Sequence, residues 1–547
     1  MKNLLSKVFI EYLNEIQFED KKIIEILKTK DSQFGDYTTN IAFKLSKFLQ
    51  QKPLEIAKEI RKFILKNNNK KFKKVTVTEP GFVNLFLSNN YIVQNSMKFL
   101  DAKYKPEFSH LKKLKINYEY VSANPTGDLH IGHARNAIVG LVVVNVLKYI
   151  GHEVFTEYYI NDGGNQMKVL AESVYFYYAK FMNIKSNLKK EDIGYHGPEI
   201  ADFAKFLIAE KIVIEGKNEK EKINGLTKIS GEHFLSTIKK MLLNLDLPKF
   251  DKWTSESQLL EEETSRIFDI LKDKDNLYFK DGATWIKVQQ FGDVKDRVLV
   301  KNDGTFTYMF ADLANHVNKY NRGFDLMIDL WGKDHHGYEP RIQASLKSLG
   351  MGGKLQVDYI SMVQIIENNE VVKMSKRAGT SLRIKDILNK MNKDILKYFL
   401  ISKAKEQEME IDVDMANQKD LSNPFFYIQY SNARINQLLN RYKNEVDEIK
   451  LLNSFSKLGN EEKEIELLKK MIEFEDVIIS INNEREPSLL INYFRELAQV
   501  FNSYYSLHSI ISSDKKLSKE RINLIYALNN QFKTIFNLLG IKPINKI

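Results

Sequence analysis

The chain contains no cysteine, which excludes disulfides and every thiolate zinc site. It has no long apolar run either. The longest, residues 137–144, stops at Asn145, far short of the ~20 residues a membrane-spanning helix needs. The first twenty residues, MKNLLSKVFIEYLNEIQFED, bring in acids too early for a signal or transit peptide. Internal repeats and low-complexity tracts are missing too. The expectation is a soluble cytoplasmic protein, with no membrane attachment and no zinc. Arginine is scarce, 13 residues against 69 lysines. Where lysine serves as a point charge, a retained arginine points to a need for its planar fork.

What is present is ordinary in bulk. The 547 residues suggest about three to four domains at roughly 150 residues each. Hydrophobic residues at 43% and charged residues at 28% suit a soluble globular protein. The net charge of +11 fits a polyanionic partner, but a lysine-rich composition explains it equally well.

Residues 1–105 read as a small α+β block. Helical patterns at 4–18, 40–49 and 54–65 precede strands at 74–78 and 82–86, joined by Glu79-Pro80-Gly81. Residues 101–113 read as a linker. The block 106–384 opens with a strand alternating at Ile116, Tyr118 and Tyr120, then a loop at 122–129. An apolar helix runs from about His130 to a stop at Gly151, and a strand follows at 154–160. That is half of a doubly wound sheet. Residues from about 165 to 290 are mostly polar helix, with the look of an insertion. The sheet pattern resumes with a hairpin of 297–300 and 305–308 across Asn302-Asp303-Gly304, a helix to about 321, and a buried strand at 324–331. A last hairpin across Asn368-Asn369 delivers Lys373-Met374-Ser375-Lys376. Residues 385–547 show only helical periodicity. The expected fold is multidomain α/β plus all-α. It has a small α+β N-terminal domain, a Rossmann-type doubly wound domain with an insertion, and a C-terminal helical bundle.

Two motifs carry chemistry. His130 and His133 lie three apart at a helix start, at the carboxyl end of the first strand, where open α/β sheets bind ligands. With Gly132 removing bulk, two imidazoles there can hold nucleotide phosphates, assisted by the helix dipole. Taken alone, the pair also fits capping or core histidines. Lys373 and Lys376 bracket Ser375 in a glycine-terminated loop, where they can clamp a leaving pyrophosphate. Taken alone, that loop also fits a solvated basic stretch. The two motifs together, each after a strand of the same sheet pattern, are far more specific than either.

His130-Ile131-Gly132-His133 and Lys373-Met374-Ser375-Lys376 resemble the two signatures of class I aminoacyl-tRNA synthetases. Tyr120-Val121-Ser122-Ala123-Asn124-Pro125-Thr126-Gly127, Glu157-Tyr158-Tyr159-Ile160-Asn161-Asp162, Phe34-Gly35-Asp36-Tyr37 and Asn423-Pro424-Phe425-Phe426-Tyr427-Ile428-Gln429-Tyr430 are similar to the arginyl-tRNA synthetase family. The resemblance runs over nearly the whole chain. It implies an N-terminal domain contacting tRNA, a Rossmann-type catalytic domain and a helical anticodon-binding domain. It also implies an ATP-dependent ligase that forms arginyl-adenylate and then charges arginine tRNA, with the first step usually needing bound tRNA. Magnesium is expected with ATP, and a monomer is expected. Three departures stand out. Asp128 stands where the family often has Pro, and Lys333 replaces the usual Ala before Asp334-His335-His336. Asp394-Ile395-Leu396-Lys397-Tyr398 replaces the family's Asp-Ala-Leu-Arg run. None removes a group the chemistry needs.

A guanidinium offers five donors in a fixed fork and is read best by carboxylates. The resemblance places Glu119, Tyr308 and Asp312 toward the guanidinium of arginine, and Ser122 and Asn124 toward its amino and carboxylate end. Tyr308 and Asp312, four apart, share a helical face; without the resemblance they read as an aromatic core residue beside a helix-start acid. For ATP the resemblance points to His130, Gly132, His133, Asp334, His335, Lys373, Met374, Ser375 and Lys376. In the bundle, Tyr427, Tyr430 and Arg434 share one face and suit stacking on unpaired anticodon bases, although such a stripe also reads as core. A rival reading is an RNA-binding relative without catalysis, which has no reason to keep all four signature residues. A class I synthetase for lysine or glutamate is the other rival. A glutamate site wants a basic pocket, and Glu119 with Asp312 has the wrong sign.

Overall fold

A computed structural model describes residues 1–29, 31–108, 111–372 and 382–545. At its centre is a five-stranded, all-parallel sheet in the order Leu355–Ile360, Leu326–Gly332, Lys115–Glu119, Glu153–Ile160, Lys252–Ser255. The chain moves one way from Lys115–Glu119 to Glu153–Ile160 and returns to the opposite side as Leu326–Gly332. The order therefore reverses between Lys115–Glu119 and Leu326–Gly332, and a crevice opens at such a switch point. Strand alternation sorts the side chains by face. Tyr118, Tyr120, Ile328 and Leu330 join the core beneath the helix Ile131–Ile150. Met327 joins the core beneath the helix Tyr308–Asn321. Helices cover both faces, so the sheet is doubly wound.

The helix Ile131–Ile150 is apolar nearly all round because it is enclosed nearly all round. By length and composition alone it passes for a membrane span. It lies between the sheet and the helices Lys393–Leu400, Phe474–Glu484 and Lys515–Leu539, and Arg135 and Asn136 are buried along with its aliphatic residues. Arg135 donates to the carbonyls of Ser361, Ala404 and Gln407. Gly140 lets the helix sit on the sheet, since a Cβ there would overlap the Tyr120 ring.

Several elements differ from the sequence reading. The segment from about 165 to 290 contains Lys252–Ser255, the edge strand of the central sheet. The inserted helices thus run from Gly164–Phe181 through Glu219–Asn244. That strand is four residues long and has no apolar alternation, so periodicity misses it. The proposed strand at 305–308 reduces to one bridge, Val300 to Phe306, because Thr307 caps a helix that already starts at Tyr308. Arg297–Val300 pairs instead with Ala283–Ile286. Beyond 385 the chain is not only helical: Met409–Asp412 pairs in parallel with Val363–Glu367. The N-terminal block is a four-stranded antiparallel sheet, two of whose strands, Ile26–Lys28 and Tyr37–Thr39, are too short to read from sequence. It packs on the bundle, and the terminal amino group of Met1 pairs with Glu475 and Asp476.

Candidate active site

The loop between Glu119 and the helix Ile131–Ile150 carries an unusual backbone. Val121 and Ser122 have φ of 70° and 36°, a region β-branched residues enter rarely and at a cost of order 1–3 kcal/mol. The Asn136 side chain holds the turn by accepting from the Val121 N–H at 2.7 Å. Ser122 Oγ donates to Glu119 Oε1 at 2.9 Å and accepts from the Tyr159 N–H at 3.0 Å. Asn124 donates to Gln166 Oε1 of the first inserted helix at 2.8 Å.

His130 is the N-cap of the signature helix. Its Nδ1 accepts from the Gly132 N–H at 3.1 Å, and His133 Nδ1 accepts from the His130 N–H at 3.3 Å. With both Nδ1 atoms accepting, the neutral rings carry their proton on Nε2. The two rings stack at 3.7 Å. The second signature residues, Lys373, Met374, Ser375 and Lys376, lie outside the described residues. The chain just after them pairs with the first signature. Ile131 N–H donates to the Leu382 carbonyl, Ile384 N–H donates to the Leu129 carbonyl, and His130 bridges Arg383. Asp128, the departure in this loop, meets Lys385 Nζ at 2.7 Å, so its charge is compensated on the same segment. Glu199, opening the inserted helix Pro198–Ala209, lies over Gly127 and near Arg383.

Glu119 is buried at the carboxyl end of the central strand. Its Oε2 meets Lys319 Nζ at 2.6 Å and accepts from Asn315 at 2.9 Å. Burial pushes its carboxyl up, and Lys319 only partly offsets this. Directly across the strand pair stands Asp329, whose two oxygens meet Lys319 and His316, each at 2.8 Å. Burial alone would raise Asp329, but those two cations hold it well below the usual carboxylate range.

Asp312 differs from Glu119 in that its only cationic neighbour among the described residues is His316. Among the described residues no lysine or arginine reaches its buried Oδ2; the carboxylate's hydrogen-bond neighbours are the Tyr338 phenol and His316. Its negative charge adds to burial in pushing up the phenols of Tyr338 and Tyr159. Glu256, which accepts from Tyr159 OH at 2.7 Å, is raised by burial and then by Asp162 and Asp312. Glu119, Asp312 and Glu256 thus converge beside the switch point. Tyr308 is brought to the rim rather than the floor: it is 62% exposed and near Tyr195 of the insertion.

Asp334 and His335 follow the strand Leu326–Gly332 directly and are exposed, with His335 Nε2 3.6 Å from Asp334 Oδ2. His336 stacks on Tyr359. In the bundle, Arg434 bonds Tyr430 OH at 2.7 Å and Asn502 at 2.6 Å, and lies between the Tyr430 and Tyr505 rings. Tyr427 is not part of that cluster; it packs against the core. Sequence reasoning missed Asn315, His316 and Lys319. Their spacing from Asp312, three, four and seven, marks a polar stripe on one helical face. Asp329, an acid inside an apolar run, was the matching signal on the sheet.

A doubly wound parallel sheet with paired histidines at the switch point defines a class I aminoacyl-tRNA synthetase fold. The family description "tRNA synthetases class I (R), catalytic domain" matches residues 94–440. "Arginyl tRNA synthetase N terminal domain" matches 3–87 and "DALR anticodon binding domain" matches 428–547. The chain belongs to the arginyl-tRNA synthetase family. It is 36% identical over 523 residues to the arginine–tRNA ligase of Staphylococcus aureus, covering 95% of this chain and 94% of that one. The arginyl-tRNA synthetase of Thermus thermophilus superposes with a TM-score of 0.77 at 16% identity, over 100% of both chains. That of Plasmodium falciparum gives 0.74 at 18%, over 100% of this chain and 99% of the other. At those identities the two structures speak for the fold alone.

Proposed function

We propose that this chain activates L-arginine with ATP and transfers it to the 3′ end of arginine tRNA, with the residues above dividing the work. The arginine carboxylate attacks the α-phosphate in line and the bond to the bridging oxygen breaks, so pyrophosphate leaves and arginyl-adenylate forms. A terminal ribose hydroxyl of the tRNA then attacks the activated carbonyl, and AMP leaves. No side-chain nucleophile is needed, so the protein supplies position and charge. His130 and His133 offer Nε2–H donors to phosphate at a helix N-terminus. Gly132 leaves room for the base, and Asp334 and His335 flank the ribose side. Lys373 and Lys376, with Met374 and Ser375, neutralise the leaving pyrophosphate. Magnesium arrives with ATP and is held by phosphates and water.

Asp312 and Glu119 face the guanidinium, with Tyr308 closing the rim, and Ser122 and Asn124 hold the amino-acid end. Tyr430 and Arg434 form the stacking platform for anticodon bases, with Tyr427 supporting the helix behind them. The chain is proposed to act as a cytoplasmic monomer. The observation that carries the reading is the Asp312 carboxylate, reached by no lysine or arginine among the described residues, in one charged cluster with Glu119 at the switch point. The test is tRNA-dependent charging of each of the twenty amino acids. Arginine alone should be esterified; equal or better charging of lysine or glutamate would overturn the reading.

A further inference from the structure

Beneath the proposed guanidinium site lies a chain of charges that the reaction itself does not use. His316 and Lys319, both fully buried, sit four and seven residues beyond Asp312 and so share its helical face. Asp329, on the sheet, bridges them. Its Oδ2 lies 2.8 Å from His316 Nε2, and its Oδ1 lies 2.8 Å from Lys319 Nζ. Each cation then reaches one of the two carboxylates of the site. Lys319 Nζ reaches Glu119 at 2.6 Å. His316 Nδ1 lies 2.8 Å from the Asp312 carbonyl and 3.4 Å from its Oδ1. A carbonyl oxygen only accepts, and a carboxylate held by lysine only accepts. Both ring nitrogens of His316 therefore face acceptors, and each must carry a hydrogen.

We propose that His316, held as an imidazolium, is a positioning residue for amino-acid selection. Together with Lys319 it offsets two of the three charges on Asp329, Glu119 and Asp312 and leaves one, on Asp312, oriented for a side chain of single positive charge. This rests on reading Asp312 and Glu119 as the carboxylates that meet the substrate. The groups around His316 are consistent with it. On its own helix they are Asp312 and Lys319. On the sheet they are Asp329 and Glu119, with the Glu157–Arg322 pair one strand further. Around Asp312 stand Tyr338, Tyr159 and Glu256. Burial alone would lower the His316 pKa, but Asp329 and Asp312 raise it to about 10. The His316 charge is thus held across neutral pH, and affinity for arginine does not follow a histidine titration.

Two measurements on the full chain test this. In selectively 15N-histidine-labelled protein, which has ten histidines, one ring should keep imidazolium nitrogen shifts at about pH 8.5, two pH units above the ordinary histidine value. Ten neutral rings there would overturn the proposal. In steady-state kinetics, His316→Gln should raise KM for arginine at least about tenfold while KM for ATP stays within about twofold. The wild-type KM for arginine should be flat from about pH 6 to 8, whereas that of His316→Gln should climb as pH falls, because the uncompensated carboxylates bind a proton. His316→Lys should restore the flat profile. An equal loss toward both substrates, or a flat profile in His316→Gln, would mark a purely structural role. If His316→Gln does not fold, the labelling experiment decides alone. Failure of the wild type to charge arginine would sink the reading of the site but leave the protonation of His316 to be judged by its spectrum.

Discussion

At Asp312 the exchange of one oxygen for an amide nitrogen separates a substrate contact from a structural acid. Asp312→Asn keeps the shape but loses the charge and turns one acceptor into a donor aimed at a cation. A hydrogen bond to a charged group is worth about 1.5–3 kcal/mol, so KM for arginine should rise by at least about tenfold with that for ATP nearly unchanged. Tyr308→Phe should move KM in the same direction by less, since Tyr308 sits at the exposed rim and loses one neutral contact. Unchanged arginine kinetics with a lowered melting temperature would make Asp312 a helix residue only. Lys373→Ala and Lys376→Ala should each slow adenylate formation roughly a hundredfold, the effect of losing one donor to a developing charge, while leaving tRNA affinity intact. Single-turnover rates within about twofold of wild type would remove that loop from the mechanism.

The helix Ile131–Ile150 shows what a whole element contributes. Alanine is the better helix former by about 1 kcal/mol, so from propensity alone Gly140→Ala should stabilise. The Tyr120 ring occupies the space a Cβ would need, and overpacking a core costs about 1–3 kcal/mol. Urea denaturation should therefore show net destabilisation; a stabilised variant would mean that helix and strand can separate at no cost. The same contact explains why this helix was legible as buried but not as to what buries it. Its apolar composition was plain, yet the neighbours that enclose it lie more than 200 residues away, in Lys393–Leu400, Phe474–Glu484 and Lys515–Leu539. The strands Lys252–Ser255 and Met409–Asp412 escaped for a related reason. Four residues carry too little periodicity, and what makes them strands is a partner distant in sequence.

At the scale of the molecule the bundle is not a detachable module. Lys397, in the run that replaces the family's Asp-Ala-Leu-Arg, is fully buried and joins three parts of the chain. It contacts Asp246 at the end of the insertion at 2.9 Å, Asp394 at 3.3 Å and the Gly540 carbonyl at 2.8 Å. Lys397→Met should cost about 3 kcal/mol, the lower end for breaking a buried pair, because Asp246 can rehydrate. Burial would raise the Asp246 carboxyl, but Lys393 and Lys397 hold it at about 2. Its contribution is present above the unfolded value of 3.8 and is lost as pH falls from there through about 2. Acid unfolding of Lys397→Met should accordingly be shallower over that window. An unchanged acid limb would show that the junction contributes nothing. For tRNA, contacts from the first and third blocks should be mainly to phosphate, so affinity should fall steeply between roughly 50 and 200 mM salt. Binding insensitive to salt would remove the electrostatic part of the reading.

By itself the sequence determined the doubly wound sheet and the family, and it set the expectation of three blocks and four signature positions. Glycine turns, strand alternation and fixed-spacing motifs are local, and local patterns survive in one dimension. The tertiary structure alone decided how the charges at the switch point are shared. Glu119 and Asp329 face each other only because two parallel strands more than 200 residues apart come into register. Lys319 and His316 join them only because one face of the helix Tyr308–Asn321 lies on that pair. Which carboxylate goes without a lysine or arginine among the described residues is set by which cations reach the others, and that follows from distances no linear pattern contains.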